Sequence, residues 1–277
     1  MVLFPNCKIN LGLHILSKRK DNYHNIETIF LPLSLTDILE VILPESGDST
    51  SSFSLSGIPV EMETRDNLCS KAWHLLQKDF SSLPAITTHL HKNIPVGAGL
   101  GGGSSDATHM LLLLNKKLNL ELTPETLAEY ALALGSDCPF FIKNKPCLAS
   151  SRGELLNEIS LDLTRFHFVL VYPGVPVDTA WAFSQIIARQ RSESLRDIIQ
   201  MPVSSWKENL VNDFETSVFK KYLQVKEIKD YLYAQGAVYA SMSGSGSCVF
   251  GMFENKPPEF SFPSNYLVFN DVVQLSV

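Results

Sequence analysis

The chain has 277 residues, of which 45% are hydrophobic and 19% charged, and its 23 Lys and Arg against 29 Asp and Glu give a formal net charge of −6. These values are typical of a globular protein and exclude a disordered tail, a collagen-like repeat and a disulfide-dense mini-protein. The acidic balance also argues against a nucleic-acid partner, because such a protein needs a basic face.

The cysteine count and the first residues predict a cytoplasmic protein. Five cysteines are present, an odd number with no CxxC pair, which indicates reduced thiols rather than a disulfide framework or a zinc site. The chain begins without the basic and apolar regions of a signal peptide. No apolar run approaches the ~20 residues that span a bilayer, so no membrane partner is expected.

Short strands and turns are predicted for the first third of the chain. Alternating and apolar runs predict strands at 8–16, 27–33 and 38–43, and the polar residues 17–22 predict a turn. Residues 44–56 are rich in Ser, Gly and Asp and predict an exposed loop with a brief strand at 53–55.

Helical spacing then alternates with further strands. Helices are predicted at 68–80 and 106–118, and a third helix is predicted between the N-cap Thr123 and the closing Gly135. The remaining predicted elements are a strand at 87–92, a strand at 166–172, helices at 179–188, 206–214 and 216–234, and strands at 237–242, 248–253 and 266–270. This mixture predicts an α+β fold in two domains, residues 1–155 and 156–277.

The segment that points to a function is the glycine-rich run from Pro95 to Asp106. Glycines leave backbone N–H groups unobstructed, and the predicted helix that follows offers the positive end of its dipole. Together these features predict an anion site, and a phosphate chain is the anion that suits it best. Ser104, Ser105 and Asp106 add hydroxyls and a carboxylate for capping or for a metal ion.

Other interpretations of this run are weaker. Its Gly-x-Gly-x-x-Gly spacing matches a dinucleotide fingerprint, but Pro95 interrupts the strand that should precede it. A P-loop is excluded because no Lys follows the glycines. A protein-kinase glycine loop does not fit either, because it lies between two strands and a helix is predicted after this run. A purely structural turn stays open as an alternative.

The residues 95–105 resemble the ATP loop of the GHMP kinases, which include homoserine, mevalonate and phosphomevalonate kinases. The triple glycine before two serines is most similar to the branch whose substrate is a cytidine diphosphate-linked methylerythritol. Further resemblances run in the family's order: residues 8–13, 22–24, 134–141, 172–174, 212–215 and 243–247. Asn22 replaces the usual Gly, and Cys7 and Ser136 replace alanines, but no reacting group is lost.

The resemblance implies a function and a fold. It implies ATP-dependent phosphorylation of the 2-hydroxyl of that substrate in non-mevalonate isoprenoid biosynthesis, with Mg²⁺ accompanying ATP. It implies an N-terminal domain like domain 2 of ribosomal protein S5 and a ferredoxin-like C-terminal domain. A monomer or homodimer is expected, and a catalytically silent nucleotide-binding protein on the same fold is the alternative from another class.

The resemblance also assigns roles to individual residues. Asp137 is expected to accept the proton of the attacking hydroxyl while Lys8 offsets charge, although a structural ion pair is the alternative. Tyr23 and Phe183 are expected to sandwich the cytosine, with His24 bonding the base edge. ATP binding falls to Pro95, Val96, Gly97, Ala98, Gly99, Leu100, Gly101, Gly102, Gly103, Ser104 and Ser105. Substrate binding falls to Asn10, Tyr23, His24, Thr179, Phe183, Gly244 and Ser245. The last two lie in a second glycine loop, residues 243–247, for which a plain hairpin turn is the alternative. Ser104, Ser105 and Asp137 are candidate neighbours of the magnesium ion, and no ligand set is chosen.

Overall fold

The computed structural model describes residues 1–44, 50–60 and 64–275, so part of the predicted loop 44–56 lies outside the described residues. Strands and helices are mixed along the chain, which confirms the α+β class. The strands are β1 (Val2–Leu3), β2 (Asn6–Lys18), β3 (His24–Thr36), β4 (Ile38–Ile42), β5 (Ser52–Gly57), β6 (Thr87–Lys92), β7 (Cys147–Ser151), β8 (Leu155–Glu158), β9 (His167–Tyr172), β10 (Tyr239–Met242), β11 (Val249–Phe253) and β12 (Leu267–Val272). The helices are α1 (Leu68–Asp79), α2 (Gly102–Lys117), α3 (Pro124–Leu134), α4 (Phe140–Lys143), α5 (Thr179–Ser184), α6 (Leu195–Ile198), α7 (Trp206–Asn209), α8 (Glu215–Lys221) and α9 (Leu223–Ala234).

The chain divides into two compact units that are interleaved in sequence. The first unit comprises residues 1–7, 35–95 and 101–144, and the second comprises 8–34, 96–100 and 145–277. The predicted limit at 155 coincides with the first residue of β8, which pairs with β7 in one sheet of the second unit. The domain limits of the sequence analysis therefore stay a prediction.

The first unit is a sheet with helices packed on it. The strand order is β1-β4-β6-β5, with β5 parallel to β6 and the other pairs antiparallel. Apolar side chains of α1, α2 and α3 pack with those of β4 and β6 to form its core. Helix α3 has the predicted ends, since Thr123 Oγ1 accepts a hydrogen bond from the Thr126 N–H and Gly135 caps the last turn.

The second unit contains two further sheets, with orders β2-β3-β7-β8 and β10-β11-β9-β12. Val225, Ile228 and Leu232 of α9 are buried together with residues of β9, β10 and β11. This core supports the loop between β10 and β11, which contains the second glycine run. None of the helices in the described part of the chain has the length and apolarity needed to cross a membrane.

Several predicted helices are wrong in extent. The helix predicted at 216–234 is two helices, since the backbone leaves the helical region at Tyr222 (φ −126°, ψ 80°). The helix predicted at 206–214 is only α7, because Val211 and Asp213 instead hydrogen-bond through their backbones to Leu13 of β2. The helix predicted at 179–188 ends at Ser184. Helix α2 starts at Gly102 and not at Asp106.

Candidate active site

The first glycine loop connects β6 to α2 and has the backbone that the sequence predicts. Gly97, Gly99 and Gly101 all have positive φ, of 69°, 80° and 70°. Gly101 is the N-cap of α2, and no side chain caps the helix there. The first backbone N–H groups of an α-helix have no intrahelical acceptor, so the start of α2 offers donors and a positive dipole end to an anion.

A buried ion cluster lies under the start of α2 in the first unit. Lys92 Nζ contacts a carboxylate oxygen of Asp37 and donates to Asp106 Oδ2 at 2.6 Å. Asp37 Oδ1 accepts the backbone N–H groups of Asn93 and Ile94 at 2.6 and 2.8 Å. The cluster thus ties the end of β6 to the first turns of α2. The Asp106 carboxylate, predicted as a cap or metal ligand, binds Lys92 instead.

The two carboxylates and one ammonium perturb each other. Burial raises the pKa of Asp106 to about 8; the nearby ammonium of Lys92 acts against this shift and Asp37 adds to it. Burial by itself would lower the pKa of Lys92, but Asp106 and Asp37 outweigh it and the pKa is raised. Lys92 therefore stays protonated beside the two carboxylates.

The second glycine loop packs on residues 98–100 of the first glycine loop, and both segments lie in the second unit. Ser243 Oγ donates to Gly99 O at 2.8 Å and accepts the Asn10 N–H at 3.1 Å. The Cys248 N–H donates to Ala98 O at 3.1 Å. A Cβ added at Gly99 would lie 2.0 Å from Ser243 O, so only glycine permits this approach.

Asn212 holds the second glycine loop in place. Its Nδ2 donates to Met242 O at 2.7 Å and to Gly244 O at 2.9 Å, and its Oδ1 accepts the Phe214 N–H at 3.0 Å. The side chain is 3% exposed. Its motif was noted in the sequence, but no role was predicted for it.

Lys8 and Asn10 project from the same face of β2, as predicted. Both are buried, and Lys8 Nζ donates to Asn10 Oδ1 at 2.7 Å. Asn10 Nδ2 in turn donates to Thr28 Oγ1 at 2.9 Å, and the Lys8 ammonium lies 4.7 Å from the ring centre of Phe30. An ammonium oriented in this way is suited to binding an oxyanion.

Asp137 lies in a turn of the first unit that packs on the start of α2. The carboxylate-bearing residue is half-buried, and the Cys138 N–H donates to Gly135 O at 3.1 Å. Thr108 Oγ1 lies 2.9 Å from both Ser104 O and Cys138 O. This contact brings the predicted base into the neighbourhood of the predicted ATP loop. Ser105, the other candidate magnesium neighbour on α2, has its Oγ 3.2 Å from His109 Nδ1.

The residues predicted to bind cytosine all lie in the second unit. The rings of His24 and Phe183 stack at 4.9 Å with an interplanar angle of 14°, while Tyr23 is 52% exposed. Burial, assisted by Lys18, lowers the pKa of the His24 imidazole, so the ring is neutral at pH 7 with one donor and one acceptor nitrogen. Thr179 Oγ1 and Ser245 Oγ lie 2.9 Å apart, which joins the α5 segment to the second glycine loop.

Comparison with known proteins defines the class of this chain. The family model for the GHMP kinases N terminal domain matches residues 67–145, and that for the GHMP kinases C terminal matches 194–260. The chain therefore belongs to the GHMP kinases, which makes it a small-molecule kinase with ATP as the phosphoryl donor.

Two relatives that are similar over almost the whole chain share one name. A protein of Azobacteroides pseudotrichonymphae genomovar. CFP2 is 51% identical over 92% of this chain and 94% of its own, and one of Bacteroides fragilis is 50% identical over 96% and 97%. Both are named 4-diphosphocytidyl-2-C-methyl-D-erythritol kinase. A crystal structure of 4-(cytidine 5'-diphospho)-2C-methyl-D-erythritol kinase is 31% identical, with a TM-score of 0.78 over 92% of this chain and 91% of that one.

Proposed function

We propose that this chain transfers the γ-phosphoryl group of ATP to the 2-hydroxyl of 4-diphosphocytidyl-2-C-methyl-D-erythritol, a step of non-mevalonate isoprenoid biosynthesis. The observation that carries the proposal is the 51% identity over 92% of the chain to a kinase named for this substrate. The stacked His24–Phe183 pair beside Tyr23 adds support, because a cytidine substrate offers a flat base for such rings.

In this proposal residues 95–105 bind the ATP phosphates. The positive φ of Gly101 starts α2 without a side chain over its first N–H groups, which supports a site for the triphosphate. The second glycine loop, with Gly244 and Ser245, binds substrate phosphates through its backbone. Its close packing on Gly99 means that each loop sets the position of the other.

Lys8 and Asp137 carry the chemistry in this proposal. Phosphoryl transfer has a loose transition state, so positioning and charge neutralisation contribute most of the rate. Asp137 accepts the proton of the 2-hydroxyl, and Lys8, oriented by Asn10, offsets the negative charge that develops on the transferred group.

Tyr23, His24 and Phe183 hold the cytosine, and Thr179 and Asn10 make further substrate contacts. The neutral imidazole of His24 has the donor and acceptor that a pyrimidine edge requires. Homoserine and mevalonate have no base, so these aromatic residues select against the substrates of sister kinases.

Mg²⁺ fits the chemistry of this region. The Asp137 carboxylate is a hard oxygen donor, and Mg²⁺ is usually bound by one or two carboxylates, substrate phosphates and water. We propose that Asp137, Ser104 or Ser105 would help to hold the ion, which would neutralise phosphate charge when bound.

The finer fold assignment is also part of the proposal. The antiparallel sheet β10-β11-β9-β12 with α9 packed on it supports a ferredoxin-like C-terminal domain. The S5-like N-terminal domain, the cytoplasmic location and the monomeric or homodimeric state stay predictions.

A coupled ADP-release assay tests the function. The protein is assayed with ATP, Mg²⁺ and, in parallel, the cytidine substrate, homoserine, mevalonate and galactose, with a mock-purified sample as a control for contaminating kinases. Turnover of the cytidine substrate alone supports the proposal. Turnover of another alcohol assigns the chain to a sister branch. ATP binding by calorimetry with no turnover of any alcohol indicates a silent nucleotide-binding protein.

A further inference from the structure

The guanidinium of Arg152 lies over the ring of Tyr23. The guanidinium carbon lies 4.7 Å from the ring centre, within the range of a cation–π interaction. The two residues come from different turns of the second unit, one between β2 and β3 and the other between β7 and β8. Pairing of Ile26 with Ser151 in the β3–β7 ladder sets these turns side by side.

Glu154 fixes the turn that carries Arg152. Its Oε2 accepts the Arg152 backbone N–H at 2.7 Å, and its Oε1 accepts the Ser151 hydroxyl at 3.0 Å. Arg152 Nε lies 3.6 Å from the same Oε1. The guanidinium is thus anchored through Nε while its carbon lies over the tyrosine ring.

A second set of bonds fixes the turn that carries Tyr23. Arg19 Nη1 donates to Ser151 Oγ at 3.0 Å, and Arg19 Nη2 lies 3.0 Å from Asp21 Oδ2. Asp21 Oδ1 accepts the Tyr23 backbone N–H at 3.1 Å. The two turns are therefore joined by a continuous chain of polar contacts beside the Arg152–Tyr23 pair.

We propose that Arg152 is a positioning residue for nucleoside recognition, acting by holding the half-exposed Tyr23 ring in the orientation that stacks on the cytosine of the substrate. Arg152 covers one face of the ring, so the opposite face is the one that meets the base. Without this contact an exposed tyrosine populates other rotamers, and substrate binding must restore the right one. The inference rests on the proposed role of Tyr23 in the kinase reaction.

Steady-state kinetics of Arg152→Gln and Arg152→Lys tests the inference. We expect Arg152→Gln to raise KM for the cytidine substrate about two- to fivefold, the range of an exposed cation–π contact, with kcat and KM for ATP unchanged. Arg152→Lys keeps the charge and restores part of the affinity. Arg165→Gln is the matched control, because its guanidinium lies 4.7 Å from the Phe166 ring, in a contact with no proposed role in binding, and it should change neither KM.

A double-mutant cycle with Tyr23→Ala decides how Arg152 acts. Because Arg152 is proposed to act only on the Tyr23 ring, Arg152→Gln should not raise KM for the cytidine substrate further in the Tyr23→Ala background. An equal rise in KM in both backgrounds overturns the inference, as does an unchanged KM in Arg152→Gln when Tyr23→Ala raises it. If Tyr23→Ala itself leaves KM unchanged, the proposed base site is wrong and the inference fails with it. Absence of turnover in the unaltered protein refutes the proposed function itself.

Discussion

Replacing Gly99 by alanine should separate the two glycine loops and weaken ATP binding. The added Cβ would lie 2.0 Å from the carbonyl oxygen of Ser243, whereas ordinary Cβ contacts begin at 3.4 Å, so the backbones must move apart by about 1.4 Å. The obstacle is backbone and cannot rotate away. Such a shift removes the hydrogen bond from Ser243 Oγ to Gly99 O.

The magnitude follows from two contributions. An L-residue at φ +80° costs about 1–2 kcal/mol relative to glycine, and the lost hydrogen bond costs about 0.5–1.5 kcal/mol. If ATP requires the original loop geometry, roughly 1.5–3.5 kcal/mol must be restored at binding. Since each 1.4 kcal/mol is tenfold in affinity, we expect the Kd for ATP to rise about 10- to 300-fold.

Isothermal calorimetry with ATP measures this change, and another glycine outside the proposed ATP loop provides the control. Gly236→Ala has φ +93° but nothing within 4 Å, so it isolates the cost of the backbone angle and should affect stability only. A folded Gly99→Ala protein with unchanged Kd would refute the argument that this loop is the nucleotide site.

Three further predictions concern chemistry and stability. Asp137→Asn should lower kcat by about 10²–10⁴-fold with little change in either KM, and near-normal kcat would show that Asp137 is not the base. Burial raises the pKa of Asp106 from 3.8 to about 8, so between these pH values the folded chain holds a proton that the unfolded chain releases. The free energy of unfolding should therefore fall as pH rises from 4 to 8, and denaturation of Asp106→Asn should lack that slope; an identical slope in the variant would contradict it. Asn212→Ala leaves two buried carbonyl oxygens without their donor and should cost about 1–3 kcal/mol each in urea denaturation, whereas a loss below 0.5 kcal/mol would show that water replaces the amide.

Local signals in the sequence predicted the elements whose ends are fixed by nearby residues. Helix α3 is an example, because Thr123, Pro124 and Gly135 determine its ends within a few residues of chain. The positive φ of Gly101 followed equally from the glycine run and the helix after it. Strand β7 was missed, because the residues that define it pair with β3, more than 100 positions earlier.

The sequence predicts site residues where a motif marks them and gives no signal where distant residues meet. Asp37 and Lys92 each look like an ordinary polar residue in their own segment, and the sequence predicts Asp106 only as a cap or metal ligand. The fold is what brings the three charges together. Family resemblance predicts Tyr23 and Phe183 on the two faces of the base, and this stays a prediction. The sequence contained no signal that His24 stacks on Phe183 or that Arg152 covers Tyr23.

The interleaved course of the chain has a consequence for its synthesis on the ribosome. Ile26 of β3 pairs with Ser151 of β7, which is made 125 residues later. At a translation rate of roughly 5–20 residues per second, β7 is synthesised about 6–25 s after β3. During this interval the unpaired edge of β3 is exposed to neighbouring nascent chains, which is the condition under which strands pair wrongly and aggregate.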